Sequence, residues 1–279
     1  MPGRRCPQHS GNFGRKEIMF DFHMHSHVSF DSRELPVNMV KAALDKGLKE
    51  ICFTDHIDYD PFAEEQIMVF DTEKYNAAYD QLYARGLKVR RGMEFGMAPD
   101  NREQFRKDLQ RRHFDFVLGS VHFVDGLDVY FRTYWEGKTI QQAIDRYFRN
   151  TLECVQVHED FDVLAHMTFI CKSPVFENAK PAYYRDWREI VDEVLKILVQ
   201  KGKGLEINTS GVDRCGGFLP TEDFFRRFQE LGGEIVTVGS DAHTADRVGQ
   251  YTDRACEILK DIFGHVCTFE DRKPIFHKL

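Results

Sequence analysis

The chain has 279 residues, of which 42% are hydrophobic and 13% aromatic, so it has enough apolar material for a folded core rather than an intrinsically disordered state. Its net charge of −7 gives no general attraction to nucleic acid. The sequence contains neither a long apolar run nor a signal-peptide pattern, and we therefore expect a cytoplasmic protein without a membrane partner.

The first seventeen residues are basic, contain several Gly and Pro residues, and lack periodicity. We expect residues 1–17 to form a flexible leader or tag-like tail, and residues 18–279 to form one domain. The seven cysteines are scattered, odd in number and never spaced as CxxC. This pattern argues against a disulfide framework and against a cysteine zinc site.

Short strand-like runs then alternate with helical patterns, which is typical of parallel strands joined by crossover helices. The predicted strands are 18–23, 50–54, 87–94, 116–122, 162–166, 204–208 and 234–241. The predicted helices are 36–47, 72–85, 101–112, 139–158, 181–201, 221–231 and, as the last element, 245–263. Several end at a glycine just before the next strand, as at Gly86, Gly202 and Gly232.

These seven strand–helix units predict an α/β fold in a single domain, as a closed or nearly closed barrel. The alternative is an open, doubly wound sheet. Such a sheet would normally carry a Gly-rich phosphate loop after its first strand, and the sequence has none there.

Metal-binding or hydrogen-bonding side chains stand at or just after the end of every predicted strand. They are Asp21, His23 and His25; Asp55 and His56; Glu94; Ser120 and His122; His166; Glu206 and Asn208; and Ser240, Asp241 and His243. The carboxyl ends of barrel strands converge at one mouth, where active sites are built. A single His or Asp at a strand end is commonly there by chance, but six of the twelve histidines occupy such positions. The set as a whole therefore predicts a metal site.

The order of these motifs resembles that of the polymerase-and-histidinol-phosphatase (PHP) superfamily over about residues 19–270. The matching blocks are FDFHMHS at residues 20–26, FTDH at 53–56, GME at 92–94, GSVHF at 119–123, LAH at 164–166, EINTSG at 206–211 and VGSDAH at 238–243. Within the superfamily, SVHF, EINTSG and VGSDAH are most similar to blocks of the histidinol-phosphate phosphatases of histidine biosynthesis.

The resemblance implies a distorted (β/α)7 TIM-like barrel that holds three divalent metal ions. It assigns His23, His25, Glu94 and Asp241 to the first ion, the bridging Glu94 with His122 and His166 to the second, and Asp31, His56 and His243 to the third. Asp31 lies six residues after His25, where family members carry Asp or His. Zn, Mn and Fe all accept such a mixture of imidazole and carboxylate ligands.

The implied reaction is hydrolysis of L-histidinol phosphate to L-histidinol and inorganic phosphate. Two ions about 3.5–4 Å apart can hold a bridging hydroxide and direct it at phosphorus. In this interpretation Glu94, Asp241 and His243 are the catalytic residues, acting through the metal-bound hydroxide. The expected partners are a small phosphorylated substrate and its phosphate product, with no nucleic acid.

Further residues are candidates for substrate binding or for orienting the ligands. Lys172 and Arg214 are candidates for binding phosphate, since an Arg can hold it with two parallel hydrogen bonds. Asn208 is expected to line the pocket or orient a neighbouring side chain, and Asp55 to orient a metal-bound histidine. His27 continues the alternation past the strand end and is expected to lie outside the ligand set.

Other functions remain open at this point. The same site could act on another small phosphoester, a nucleotide or a phosphotyrosine substrate, whereas a nuclease would need a basic groove with stacking aromatics. A non-catalytic relative would lack ligands, but all nine positions hold competent residues. An amidohydrolase barrel commonly carries a carboxylated lysine at a strand end, and no predicted strand ends in lysine. The sequence does not indicate an oligomeric state.

Overall fold

The computed structural model describes residues 20–175 and 180–279. The predicted leader at 1–17 and the first two residues of the first predicted strand lie outside the described residues. No helix within the described ranges is long and apolar enough to span a membrane.

Short strands alternate with helices along most of the chain. The strands are β1 (Phe20–Met24), β2 (Glu50–Phe53), β3 (His56–Ile57), β4 (Lys88–Gly96), β5 (Phe116–Ser120), β6 (Phe123–Val124), β7 (Leu127–Asp128), β8 (Val163–Leu164), β9 (Gly204–Asn208), β10 (Val236–Gly239), β11 (His265–Glu270) and β12 (Lys273–Lys278). The α-helices are α1 (Pro36–Asp45), α2 (Thr72–Tyr79), α3 (Arg102–Leu109), α4 (Arg132–Trp135), α5 (Ile140–Val157), α6 (Arg188–Gln200), α7 (Gly211–Cys215), α8 (Glu222–Glu230) and α9 (Thr252–Ile262).

The main sheet is parallel and runs in the order β1–β2–β4–β5–β8–β9–β10, with β3 paired to β4. Its two outer strands meet at their carboxyl ends, where Met24 and Ala242 form an isolated parallel bridge. The backbone N–H of Asp241 donates to the carbonyl of His23 at 2.8 Å, and the N–H of His25 donates to the carbonyl of Ala242 at 2.8 Å. The predicted, nearly closed α/β barrel is therefore confirmed, and the open sheet is excluded.

The crossover helices form because their apolar residues recur at helical spacing. In α6 the buried residues are Val191, Val194, Leu195 and Leu198, which make one stripe facing the sheet. Helix α5 begins with a capping box, in which the Thr139 and Gln142 side chains each accept a hydrogen bond from the other residue's backbone N–H. These helices cover the outside of the barrel and leave the strand ends free at its mouth.

Two predicted helices begin later in the structure than in the sequence pattern. The helix predicted over 181–201 begins at Arg188, after a 3₁₀ turn at Tyr184–Asp186. The helix predicted over 245–263 is divided into a 3₁₀ turn at Ala245–Arg247 and helix α9. Gly249 and Tyr251 take φ values of +64° and +59° between these two parts. A helix cannot continue through such left-handed residues.

Helix 245–263 was also wrongly predicted to be the last element. It is followed by the antiparallel hairpin β11–β12, whose turn residues Asp271 and Arg272 have φ values of +49° and +63°. Positive φ at both residues is the geometry of a tight hairpin turn. Asp-Arg is not one of the usual sequence signals for that turn, so the hairpin was missed. The small hairpin β6–β7 and helix α4 were missed as well.

The buried carboxylate of Asp21 supports the seam between β1 and β10. Its Oδ1 accepts from the backbone N–H of Ser240 at 2.8 Å, and its Oδ2 accepts from the Ser240 hydroxyl at 2.5 Å and the Gly249 N–H at 2.7 Å. All three donors come from the segment after β10. The side chain thus ties the first strand to the last strand of the barrel.

We predict that Asp21→Asn lowers the free energy of unfolding by about 1–3 kcal/mol, because the amide would turn an N–H group toward a buried N–H donor. Urea unfolding followed by circular dichroism measures the change. The matched control is Asp45→Asn, at an exposed carboxylate in the last turn of α1, which we expect to change stability by less than about 0.5 kcal/mol. Equal stabilities of Asp21→Asn and wild type would show that this carboxylate does not hold the seam.

Candidate metal centre

Four side chains converge where β1 meets β10. The Nε2 atoms of His23 and His25 are 3.2 Å apart. Glu94 Oε2 lies 3.1 Å from His23 Nε2 and 3.3 Å from His25 Nε2. Asp241 Oδ1 lies 3.3 Å from His25 Nε2 and 3.6 Å from His23 Nε2. The structure thus brings together the four residues that the resemblance assigns to one ion.

The other oxygen of Glu94 faces a second group of histidines. Oε1 lies 2.8 Å from His166 Nε2 and 3.3 Å from His122 Nε2, and it also accepts from the Ser120 hydroxyl at 2.6 Å. Register pairing places Glu94 opposite His56 on one side and Leu118 on the other. The carboxylate therefore stands between two groups of imidazoles, as a bridging ligand must.

The third group lies nearer the surface, around Asp31. Its Oδ2 lies 2.9 Å from His243 Nε2 and 3.5 Å from His56 Nε2. The ring of His25 stacks on His56 and on His243, with centroids 4.3 and 4.2 Å apart. All nine predicted ligands thus contribute an atom to one of four sets of donors whose members lie within 4.8 Å of one another.

Three of these sets differ from the implied division among three ions. His25 also falls into the set of Asp31, His56 and His243, and His56 also falls into a set with Glu94 and His122. His23, assigned to the first ion, forms a set with Glu94 and His166 of the second. His56 Nδ1 is 3.3 Å from Glu94 Oε2, so this ring faces both the surface group and the buried one. The three groups are contiguous rather than separate.

In several histidines, a hydrogen bond at Nδ1 fixes the ring so that Nε2 faces the cluster. The Nδ1–H of His243 donates to the backbone carbonyl of Asp241 at 2.9 Å, because a carbonyl can only accept. The Nδ1 atoms of His23 and His122 lie 2.7 and 2.8 Å from carboxylate oxygens of Glu206 and Asp58. In the neutral rings, the opposite nitrogens carry lone pairs that face His25 Nε2 or the carboxylates of Glu94 and Asp31.

Such an arrangement requires positive charge at its centre. The facing Nε2 atoms of His23 and His25 cannot both carry a proton at 3.2 Å, whereas a cation between them would satisfy both. His166 Nδ1 is buried without a hydrogen-bond partner among the described residues. Burial alone would raise the pKa of Glu94, but His23 and His56 hold it well below its usual range, so the carboxylate is ionised. The donor set fits divalent metal ions.

Asp58 orients two of the rings and was not predicted from the sequence. Its Oδ1 accepts from His122 Nδ1 at 2.8 Å, and its Oδ2 lies 3.0 Å from His56 Nδ1. The strand β4 makes room for it at Gly96, where a Cβ atom would lie 1.9 Å from Asp58 Oδ1. The signal in the sequence was its spacing, since Asp58 stands two residues after His56 in the DHID stretch at residues 55–58.

Glu206 orients the ring of His23 as Asp58 orients that of His122. In the sequence, only its position near the end of a predicted strand pointed to this role. One oxygen accepts from His23 Nδ1, and the other accepts from the backbone N–H of His166 at 2.8 Å. Asn208, expected to orient a neighbour or line the pocket, lies 3.2 Å from Glu206 through its amide nitrogen. Gly239 allows this packing, because a Cβ there would meet both Glu206 and His23 within 2.4 Å.

Asp55, expected to orient a metal-bound histidine, reaches His25 through an intermediate side chain. Its Oδ1 accepts from the Ser29 hydroxyl at 3.0 Å, and Ser29 Oγ is 3.1 Å from His25 Nδ1. His27, by contrast, is exposed and joins none of the donor sets found in the described residues.

A cavity of about 400 Å³ opens above the metal-binding cluster, and the two candidate phosphate ligands are placed differently toward it. Lys172 lines the cavity, and its Nζ lies 2.8 Å from Asp241 Oδ2. Arg214 is exposed and does not line the cavity; its Nε donates to the Lys172 carbonyl at 3.0 Å. The geometry therefore favours Lys172 over Arg214 as a contact for a ligand in the cavity.

Comparison with known proteins agrees with this geometry. The chain is 34% identical over 261 residues to a probable histidinol-phosphatase of Clostridium acetobutylicum, covering 91% of this chain and 98% of that one. It is 31% identical to the histidinol-phosphatase of Lactococcus lactis, covering 91% and 95% of the two chains.

Among solved structures, the fold matches a histidinol phosphate phosphatase from Lactococcus lactis, complexed with zinc, L-histidinol and phosphate. The TM-score is 0.82 at 29% identity, with 92% of this chain and 98% of that chain covered. Residues 21–210 match the sequence model of the PHP domain. With more than half of its length matched by that family and its nine predicted ligands gathered at the mouth of the barrel, the chain belongs to the PHP domain family.

Proposed function

We propose that the chain is a metal-dependent phosphomonoesterase that hydrolyses L-histidinol phosphate to L-histidinol and inorganic phosphate, a reaction of histidine biosynthesis. The proposal rests on one observation. Imidazole and carboxylate side chains that together fit metal cations line a cavity of about 400 Å³. The histidinol phosphate phosphatase structure from Lactococcus lactis, which is complexed with zinc, L-histidinol and phosphate, supports the choice of substrate.

The proposed ligands are those of the sequence analysis. His23, His25, Glu94 and Asp241 would hold one ion, Glu94 with His122 and His166 a second, and Asp31, His56 and His243 a third, with Zn, Mn or Fe as the metal. Divalent ions lower the pKa of water and offset the charge of phosphate oxygens. Glu94, Asp241 and His243 keep their proposed catalytic role by holding these ions. A cytoplasmic location and the lack of a nucleic-acid partner stay predictions.

Lys172 is the proposed phosphate contact from the protein itself. Burial lowers the pKa of its ammonium group, but the adjacent Asp241 outweighs this effect and raises the pKa above its ordinary value. The side chain therefore remains cationic inside the cavity. There it can neutralise a phosphate oxygen while Asp241 keeps it in place.

Substrate preference and metal dependence test the proposal directly. We expect metal-reconstituted protein to hydrolyse L-histidinol phosphate with a kcat/KM at least about 100-fold above those for p-nitrophenyl phosphate, AMP and phosphotyrosine, since unmatched polar groups in a site reject wrong substrates strongly. A chelator should abolish this activity, and added Zn, Mn or Fe should restore it. Equal rates on all substrates, or activity that survives chelation with no metal detected, would contradict the proposal.

Removing a ligand should stop turnover while the barrel persists. We expect His122→Ala and Asp241→Asn each to lower kcat by at least about 100-fold, because each takes a donor from the cluster that positions the ions. Steady-state kinetics measures the loss, and circular dichroism verifies the fold. The control is His27→Ala, at an exposed histidine outside the cluster, which should stay within roughly two-fold of wild type. Near-normal rates in both ligand variants would refute the assignment.

Asp58 should act on metal affinity rather than directly on the substrate. We predict that Asp58→Asn weakens metal binding by about 10- to 100-fold, because the two rings that it faces lose their charged partner. Metal titration monitored by activity and by calorimetry measures the shift, and excess metal should restore most of the turnover. Asp60→Asn, two residues away and outside the cavity lining, is the matched control. Unchanged metal affinity in Asp58→Asn would remove the positioning role.

A further inference from the structure

One acidic side chain of the cavity takes no part in the metal-binding cluster. The carboxylates that line the cavity are Asp31, Asp58, Glu94, Asp128 and Asp241. Four of them lie within 4 Å of a histidine or lysine nitrogen, as in the pairs Asp31–His243, Asp58–His122, Glu94–His23 and Asp241–Lys172. Asp128 forms no ion pair with any Lys, Arg or His in the described ranges 20–175 and 180–279.

The position of Asp128 is fixed by a small hairpin beside the cluster. It lies in β7 opposite Phe123 of β6, and the next residue, Val129, donates its N–H to the carbonyl of His122 at 3.0 Å. The N–H of Tyr130 donates to Asp128 Oδ1 at 2.8 Å. The other oxygen, Oδ2, accepts no hydrogen bond from the described part of the chain. One oxygen is thus anchored and the other remains available to a ligand.

The negative charge of Asp128 is only partly compensated by the described residues around it. Burial raises the pKa of its carboxyl group, and the Tyr130 N–H and His122 offset this only in part. The nearby carboxylates of Asp58 and Asp60 raise it further. A cation bound at Oδ2 would compensate the remaining charge, because an opposite charge favours the ionised carboxylate.

The surroundings of Asp128 suit an ammonium group attached to a flat ring. Phe123, Tyr130 and Phe131 line the same cavity next to it in sequence or across the hairpin. Aromatic faces attract ammonium ions and also pack against planar rings. Lys172 is the only Lys or Arg among the described residues of the cavity lining. The cavity therefore offers a cation for phosphate and a separate, unpaired anion for an amine.

We propose that Asp128 binds the primary ammonium group of the substrate through Oδ2 and so selects phosphomonoesters that carry an amine. This role rests on the proposed function, in which the substrate is a phosphorylated amino alcohol. It makes Asp128 a specificity residue that contacts the part of the substrate remote from the phosphate. The carboxylate takes no part in holding the metal ions.

The test compares two substrates in two proteins. Asp128→Asn keeps the size of the side chain and an acceptor for the Tyr130 N–H but removes the charge. For L-histidinol phosphate we expect its kcat/KM to fall by about 10- to 100-fold, mainly through KM, as for loss of a hydrogen bond between charged groups. For 3-(imidazol-4-yl)propyl phosphate, which lacks only the amine, we expect a change of less than roughly two-fold.

Asp60→Asn is the matched control, because it removes a neighbouring negative charge that does not line the cavity. It should affect both substrates equally and weakly. An equal loss on both substrates in Asp128→Asn would show a merely structural role and overturn the inference. Wild-type protein with the same kcat/KM for both substrates would overturn it as well.

Failure of the proposed function gives a different result. If wild type does not hydrolyse L-histidinol phosphate, the same comparison is made with 2-aminoethyl phosphate, which carries an amine, and ethyl phosphate, which does not. Asp128→Asn is again expected to lower kcat/KM only for the substrate with the amine. If turnover is undetectable, calorimetry measures the affinities of wild type and Asp128→Asn for L-histidinol and for 3-(imidazol-4-yl)propan-1-ol, which lacks the amine. Asp128→Asn is expected to weaken binding of L-histidinol only. Amine-independent binding in both wild type and Asp128→Asn would refute the role of Asp128.

Discussion

The backbone hydrogen bonds that join β1 to the segment after β10 are the constraint on which the site depends. They connect His23 to Asp241 and His25 to Ala242, residues that lie far apart in the chain. Without this seam the barrel would be an open sheet, and the carboxylate of Asp241 would not face the paired histidines. The buried Asp21 reinforces the seam through three further hydrogen bonds, so the contacts that close the barrel also bring the ligands together.

The centre concentrates hydrogen-bond acceptors in a buried space, which is unfavourable unless cations are present. The protein stabilises this arrangement by orienting each ring from behind. Glu206 orients His23, Asp58 orients His122, and a backbone carbonyl orients His243. Glycines at positions 96 and 239 leave the space that these carboxylates need. These contacts fix the orientation of the ligands, which is the general basis of tight and selective metal sites.

The cavity separates charge along its walls. Lys172 and the cations proposed for the metal-binding cluster form the positive side, while the hairpin β6–β7 presents Asp128 among aromatic side chains. A ligand with a phosphate at one end and an amine at the other complements both regions. Because the hairpin is held to His122 by a backbone hydrogen bond, the amine-binding wall and the metal centre keep a fixed relation.

The sequence alone determined the alternation of strands and helices and the placement of His, Asp and Glu at the strand ends, since both follow from local burial periodicity and chain order. It also indicated the nine candidate ligands, though not that His56 would face both Glu94 and Asp31. Only the tertiary structure turned Arg214 away from the cavity, set Asp58 behind two rings and left Asp128 unpaired. The hairpin β11–β12 likewise had no clear local signal. These features depend on which side chains meet across distant loops, and periodicity along a chain carries no information about such contacts.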